Sequence, residues 1–196
     1  MVVGVLALQG DFREHINILK KMNIATREIR FPAQLDRVDG FIIPGGESTT
    51  INKLLDKYDF KEKLKRFTKS GKPLFGTCAG LIVLACGIAD EEGQMGLIDI
   101  DIERNAYGRQ IESFEQNISL NLNHEAGSRE FNSIFIRAPR IIRTGKNVKV
   151  LGSYNEEVVL AREKNILVCA FHPELTDDNR IHQYFITMII DDLKEK

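Results

Sequence analysis

The chain has 196 residues, enough for a substantial core, and its length predicts one domain spanning residues 1–196. Its formal net charge is −1, and acidic and basic residues are interspersed, so no basic stripe indicates nucleic acid as a partner. No apolar run approaches the roughly 20 residues that span a bilayer, so no membrane partner is expected.

Short apolar runs alternate with amphipathic stretches in the first half of the chain. Residues 2–8 are nearly all apolar but lack a basic flank, which indicates a buried strand and not a signal peptide. The alternation is typical of β-α units that feed a parallel sheet. Strands are predicted at 2–8, 24–30, 40–43 and 72–75, and helices at 11–22, from Ser48 or Thr49 through Phe67, and from near Gly80.

Beyond Gly87 the pattern changes to strands separated by polar turns, and a helix closes the chain. Strands are predicted at 97–102, 118–122, 134–136, 148–151, 158–161 and 166–171, the last two as a hairpin. The closing helix begins near Asp177 and carries apolar residues at helical spacing. The sequence therefore predicts an α/β fold.

The three cysteines are odd in number and have no C-x-x-C spacing. This pattern indicates a reducing compartment, so we expect a cytoplasmic protein. Cys86 and Cys169 lie in apolar stretches and are expected to fill the core. Cys78, in contrast, lies between two glycines at the end of a predicted strand.

Cys78 lies within Gly76-Thr77-Cys78-Ala79-Gly80, between a predicted strand and a buried helix. This layout is typical of a nucleophile elbow, in which the glycines allow two backbone segments to pass closely. The helix amino terminus favours a thiolate, and the N–H group of Ala79 is placed to donate to an oxyanion. The alternative is a small buried cysteine in a glycine-rich turn.

Two other motifs follow the carboxyl ends of predicted strands. In Phe171-His172-Pro173-Glu174 an extended backbone would place His172 and Glu174 on one face, as a general base oriented by a carboxylate. The alternative there is a strand end followed by a helix cap. In Pro44-Gly45-Gly46-Glu47-Ser48 the N–H group of Gly46 can supply a second oxyanion donor, although Gly-Gly alone indicates only a turn.

Taken in this order, the three motifs resemble the class I glutamine amidotransferase family. The resemblance implies a single flavodoxin-like α/β domain with a mixed, largely parallel central sheet flanked by helices. It implies a catalytic triad of Cys78, His172 and Glu174, with Gly46 and Ala79 forming the oxyanion hole. It further implies that L-glutamine is bound by Gly46, Glu47, Ser48, Arg104, Ile136 and Arg137. No metal or organic cofactor is expected.

Within that family the chain is similar to the glutaminase subunits of two-component pyridoxal 5′-phosphate synthases. The resemblance is carried by residues 4–10, 44–50, 104–110, 135–139 and 171–178. It implies that ammonia passes to a synthase subunit in a hetero-oligomer. Asp11 departs from the small apolar residue expected there, and can alter the surface offered to that partner.

Other functions remain open at this point. The chain could feed another biosynthetic amidotransferase, such as that of histidine synthesis, or hydrolyse glutamyl peptides. It could also be a binding module that has lost catalysis, although Cys78, His172 and Glu174 argue against this. The remaining histidines, His15, His124 and His182, are interpreted as helix or surface residues.

Overall fold

The computed structural model describes residues 1–88, 95–104, 113–122 and 130–196. In chain order these residues form β1 (Val2–Leu6), α1 (Phe12–Lys21), β2 (Ala25–Ile29), β3 (Gly40–Ile43), α2 (Ser48–Lys57), α3 (Phe60–Lys69), β4 (Leu74–Thr77), α4 (Ala79–Leu84), β5 (Ala85–Ile88), β6 (Ile98–Glu103), β7 (Ser113–Leu120), β8 (Glu130–Ile136), β9 (Arg140–Thr144), β10 (Lys149–Tyr154), β11 (Glu157–Glu163), β12 (Ile166–Cys169) and α5 (Arg180–Lys194). Short 3₁₀ turns lie at Pro32–Arg37 and Pro173–Leu175.

Within these ranges the main sheet has nine strands in the order β2-β1-β3-β4-β12-β11-β10-β7-β8. The first five are parallel, and the rest join them through antiparallel pairs. A second sheet has the order β5-β6-β9. The α/β fold with a mixed sheet is confirmed, as is the hairpin of β11 and β12. The antiparallel part is as extensive as the parallel part, with four strand pairs in each, and β10, β11 and β12 follow one another as antiparallel neighbours.

The core lies between the parallel strands and the helices. Strands β3, β4 and β12 are buried at every residue, which explains their continuous apolar runs. On α5, the ring of Phe185 lies 5.5 Å from the ring of Phe75 on β4, measured between centroids. Each such fully buried side chain contributes about 1.5–3 kcal/mol to folding. None of the described helices is both long and apolar enough to cross a membrane.

Three details of the predicted elements were wrong. The helix predicted from Ser48 through Phe67 is two helices, because Asp59 adopts a left-handed backbone with φ of 58° and breaks it. The cap of the first is Glu47, not Ser48 or Thr49. Cys86 is exposed on β5 and does not fill the core, because α4 ends at Leu84 and the chain continues as a strand.

The parallel strands bring the predicted motifs to one edge of the sheet. Strands β1, β3, β4 and β12 run in the same direction as neighbours, so their carboxyl ends meet. In open α/β sheets this edge is where ligands bind. The segments that follow these strands begin at Ala7, Pro44, Cys78 and Ala170, and they contain all three motifs.

Candidate active site

Cys78 occupies a strained turn between β4 and α4. Its φ of 47° and ψ of −101° lie outside the regions that non-glycine residues favour, at a cost of about 1–3 kcal/mol. The strain is held in place because the N–H group of Cys78 donates to the carbonyl of Cys169 at 2.9 Å, and the N–H group of Ile82 donates to the carbonyl of Cys78 at 3.2 Å. The turn therefore fixes the direction of the thiol at the sheet edge.

Two glycines make this turn possible. A Cβ on Gly80 would lie 2.2 Å from the carbonyl oxygen of Ile43, and one on Gly76 would lie 2.7 Å from the carbonyl carbon of Gly80. Both distances are far below van der Waals contact. The close passage of backbone predicted from Gly76 and Gly80 is confirmed.

We expect Gly80→Ala to lower the free energy of unfolding by about 1–3 kcal/mol, because the added methyl displaces α4 from the end of β3. It should also slow alkylation of Cys78 by iodoacetamide, read by peptide mass spectrometry. Gly96→Ala is the control, since the nearest atom to its added Cβ lies 3.9 Å away and its φ of 61° imposes strain at a residue that does not line the cavity. Equal alkylation of Cys78 in both variants would contradict this role of Gly80.

His172 and Glu174 form a buried pair. His172 Nδ1 lies 2.7 Å from Glu174 Oε1, and the N–H group of His172 donates to the carbonyl of Ile134 at 2.8 Å. The predicted reason for the pairing was wrong: Glu174 lies in the 3₁₀ turn Pro173–Leu175, so the turn and not strand alternation brings the two side chains together. The contact itself holds the imidazole in one orientation.

The protonation of this pair depends on opposing effects. Burial favours the neutral imidazole, but hydrogen bonds to Cys78 and Glu174 outweigh burial and raise the pKa of His172 to about 10. Burial raises the pKa of Glu174, and its hydrogen bond to His172 opposes that rise. The arrangement thus favours a charged imidazole beside the thiol.

Asp11 approaches the same imidazole from the segment after β1. Its Oδ2 lies 3.6 Å from His172 Nδ1, and its side chain is 43% exposed. Among the described residues, Asp11, His172 and Glu174 offer potential metal-ligand atoms within 4.8 Å of one another. A cation there would compete with the hydrogen bond between His172 and Glu174, so this geometry suits proton transfer better than metal binding.

The glycine-rich loop after β3 is tied to the segment after β1. Gly46 has a φ of 151°, the N–H group of Glu47 donates to Gln9 Oε1 at 3.0 Å, and the N–H group of Asp11 donates to the carbonyl of Gly45 at 3.1 Å. The carboxylate of Glu47 accepts from the N–H groups of Thr49 at 3.0 Å and Thr50 at 2.7 Å. A hydrogen bond from the Thr50 side chain is the main reason that the pKa of Glu47 falls to about 2.

A cavity of about 440 Å³ joins these segments, a size typical of small-molecule sites. Every residue predicted to bind glutamine lines it. Its walls are Gln9, Gly10, Asp11, Gly46, Glu47, Ser48, Cys78, Ala79, Ile82, Arg104, Ile136, Arg137 and His172. Glu174 lies behind His172 and out of the cavity.

Besides His172, three cavity residues come from the later half of the chain. Arg104 Nη1 donates to Thr49 Oγ1 at 3.4 Å, and Arg137 has a left-handed backbone with φ of 42°. The thiol of Cys78 lies 3.7 Å from the carbonyl oxygen of Ile136. The rest of the 104–110 phrase, residues 105–110, lies outside the described residues.

Similarity to known proteins shows which family the chain belongs to. The model of the SNO glutamine amidotransferase family matches residues 5–191. The chain belongs to this family. It is 50% identical over 190 residues to the pyridoxal 5′-phosphate synthase subunit PdxT of Thermotoga maritima, covering 96% of this chain and 100% of that one. It is 49% identical to PdxT of Anoxybacillus flavithermus, covering 95% and 96% respectively.

Solved structures agree with membership of the SNO glutamine amidotransferase family. A crystal structure described as a glutamine amidotransferase matches with a TM-score of 0.89 and 44% identity, over 96% of this chain and 99% of that one. A putative GMP synthase subunit from Thermoplasma acidophilum matches with a TM-score of 0.71 over 100% and 98% of the two chains. Its identity is 15%, so that likeness concerns the fold alone.

Sequence reasoning missed the setting of two histidines. His15 and His182 were interpreted as helix or surface residues; both lie on helices, α1 and α5, but their full burial was not predicted, and His124 lies outside the described residues. The sequence did contain a pattern that indicates the burial of these two histidines. His15 lies at helical spacing with the apolar residues of α1, and His182 follows Ile181 on the buried face of α5.

Proposed function

We propose that this protein hydrolyses L-glutamine to L-glutamate and ammonia, with Cys78 as nucleophile and His172 and Glu174 completing the triad. The observation that carries the proposal is the cavity in which a strained cysteine meets an imidazole held 2.7 Å from a buried carboxylate. Membership of a glutamine amidotransferase family supports the same chemistry. The family match also disfavours a glutamyl-peptide hydrolase.

In the proposed mechanism the charged imidazole of His172 already holds the thiol proton of Cys78, and the resulting thiolate attacks the glutamine carboxamide carbon. The backbone N–H groups of Gly46 and Ala79 donate to the oxyanion, each worth about 3–4 kcal/mol in the transition state. The imidazolium then protonates the amide nitrogen of the tetrahedral intermediate, the C–N bond breaks, ammonia leaves and a glutamyl thioester remains. Water, deprotonated by His172, hydrolyses the thioester and releases glutamate.

The cavity walls suggest how glutamine is held. Arg104 and Arg137 provide positive charge that can meet the α-carboxylate, and Ser48 and the carbonyl of Ile136 offer polar groups to the other end. The carboxylate of Glu47 caps α2, so we assign its contribution to the position of the loop and not to direct charge pairing. Glu47 thereby supports the placement of Gly46.

We further propose that the ammonia passes to a synthase subunit for pyridoxal 5′-phosphate biosynthesis, in a cytoplasmic hetero-oligomer. The support is near-full-length identity of 50% to proteins named as pyridoxal 5′-phosphate synthase subunits. This similarity favours them over the glutaminase of histidine synthesis. Direct transfer is needed because free ammonia protonates and diffuses away.

Glutamate release from glutamine tests both parts of the proposal. With the synthase subunit present we expect release at least about tenfold faster than from the subunit alone, and pyridoxal 5′-phosphate that carries ¹⁵N from amide-labelled glutamine. Bovine serum albumin at equal concentration serves as the control for unspecific stabilisation. No release under either condition would refute the glutaminase assignment, and equal release would refute coupling to the synthase.

A further inference from the structure

A buried pair of histidines lies directly behind Glu174. His15 on α1 and His182 on α5 are both fully buried, with His15 Nδ1 and His182 Nε2 3.0 Å apart. The other nitrogen of His15, Nε2, lies 3.4 Å from Glu174 Oε2 and 3.1 Å from Thr77 Oγ1. Thr77 is the residue before Cys78, so this cluster contacts the proposed triad from beneath.

The proposed mechanism employs only one oxygen of Glu174. Oε1 faces His172, whereas Oε2 is fully buried and has no other hydrogen-bond partner in the described part of the chain. A buried carboxylate oxygen without a donor is costly, by about 1–3 kcal/mol. The ring nitrogen of His15 is placed to reduce that cost.

Both histidines are neutral at physiological pH. Burial, followed by the nearby His182 and His172, holds the pKa of His15 well below its usual range. Burial lowers the pKa of His182 to about 3. A neutral imidazole has one N–H group and one acceptor nitrogen, so the pair shares its protons in one of two arrangements.

Only one arrangement gives Glu174 a donor. If His182 Nε2–H donates to His15 Nδ1, the N–H group of His15 lies on Nε2 and points to Glu174 Oε2 and Thr77. In the opposite arrangement His15 Nε2 would turn its lone pair toward the carboxylate, and His182 Nδ1–H would be a buried donor without an acceptor among the described residues. The first arrangement satisfies more groups and avoids that repulsion.

We propose that His15, with its tautomer fixed by His182, is a positioning residue that donates to Glu174 Oε2 and so holds the carboxylate toward His172. The resulting chain of contacts runs from His182 through His15 and Glu174 to His172. Its effect is twofold: it keeps the carboxylate plane in the orientation that His172 requires, and it favours the ionised carboxylate in a buried place. His15 touches neither substrate nor thiol.

This inference rests on the proposed function, and two amide substitutions test it. His15→Gln places an amide N–H group near the position of Nε2, whereas His15→Asn places it near Nδ1, toward His182. We expect kcat for glutamate release, in the complex with the synthase subunit, to fall by about tenfold or more in His15→Asn with KM nearly unchanged, and by less than about threefold in His15→Gln. Ile16→Val, on the same helix, controls for loss of packing.

A second readout does not need glutamine turnover. Alkylation of Cys78 by iodoacetamide, followed by peptide mass spectrometry, should slow in His15→Asn and not in His15→Gln or Ile16→Val. If wild type shows no glutaminase activity, the proposed function fails, and alkylation alone decides the role of His15. If His15→Asn does not fold by circular dichroism, His15→Met, of similar length and without a donor, replaces it. Equal kcat and equal alkylation in the donor and non-donor variants would overturn the proposal.

Discussion

Cys78→Ala is expected to reduce glutamate release by about 10⁴- to 10⁶-fold, because Cys78 supplies the thiol that lines the cavity together with His172. The fold should persist, since alanine has the same Cβ in the same backbone conformation and the thiol is a small part of the core. The measurement is coupled detection of glutamate in the presence of the synthase subunit. Thermal unfolding by circular dichroism, in the same samples, separates loss of chemistry from loss of structure.

Cys86→Ala is the matched control for that experiment. Cys86 is the exposed cysteine on β5 and lies outside the cavity, so its removal should leave the rate unchanged. Turnover that persists in Cys78→Ala and is lost in Cys86→Ala would show that Cys86, and not Cys78, is the nucleophile. Turnover in both would leave Cys169 or a group other than a thiol as the nucleophile.

Glu174→Gln is expected to lower kcat by about 10³- to 10⁴-fold, by analogy with loss of the carboxylate from a Ser-His-Asp triad. The amide is nearly the same size, but it removes the negative charge beside the imidazolium and can present N–H to His172 Nδ1. That contact would favour the wrong tautomer. The measurement is kcat and KM for glutamine over a range of pH.

The pH dependence of kcat shows in which direction Glu174→Gln shifts the pKa of His172. Glu174 helps to raise the pKa of His172 to about 10, so its loss lowers that pKa. The imidazolium that protonates ammonia then disappears at lower pH, and the alkaline limb of the profile should move toward acid. Asp177→Asn, an exposed carboxylate three residues further on, should leave rate and profile unchanged. An alkaline limb in Glu174→Gln that coincides with wild type would contradict the role of the carboxylate.

The parallel half of the fold was predictable because its signals are local. Continuous apolar runs mark strands buried on both faces, and β1, β3, β4 and β12 were each predicted within a few residues. β9 was not predicted, because two of its five residues are arginine and only Ile141 is buried, so it lacks a clear apolar pattern. The break at Asp59 depends on one backbone dihedral angle that composition does not determine.

The candidate site was predictable as a set of residues but not as a network. The glycines around Cys78 and the His172–Glu174 spacing are properties of short segments, and the parallel sheet then gathers those segments at one edge. The contact of His15 with Glu174 joins residues distant in sequence, from α1 and the turn after β12. Periodicity shows that a histidine faces the core, but only the assembled fold shows what it meets there.

The position of β12 in the sheet has a consequence for how the protein is made. β4, which leads into Cys78, pairs on one side with β12, a strand translated much later, and the N–H group of Cys78 itself bonds to β12. While the ribosome is still synthesising the intervening strands, the elbow has neither this neighbour nor His172. We therefore expect the thiol of Cys78 to stay weakly reactive in the nascent chain until β12, the fifth of nine strands in the sheet, pairs with β4.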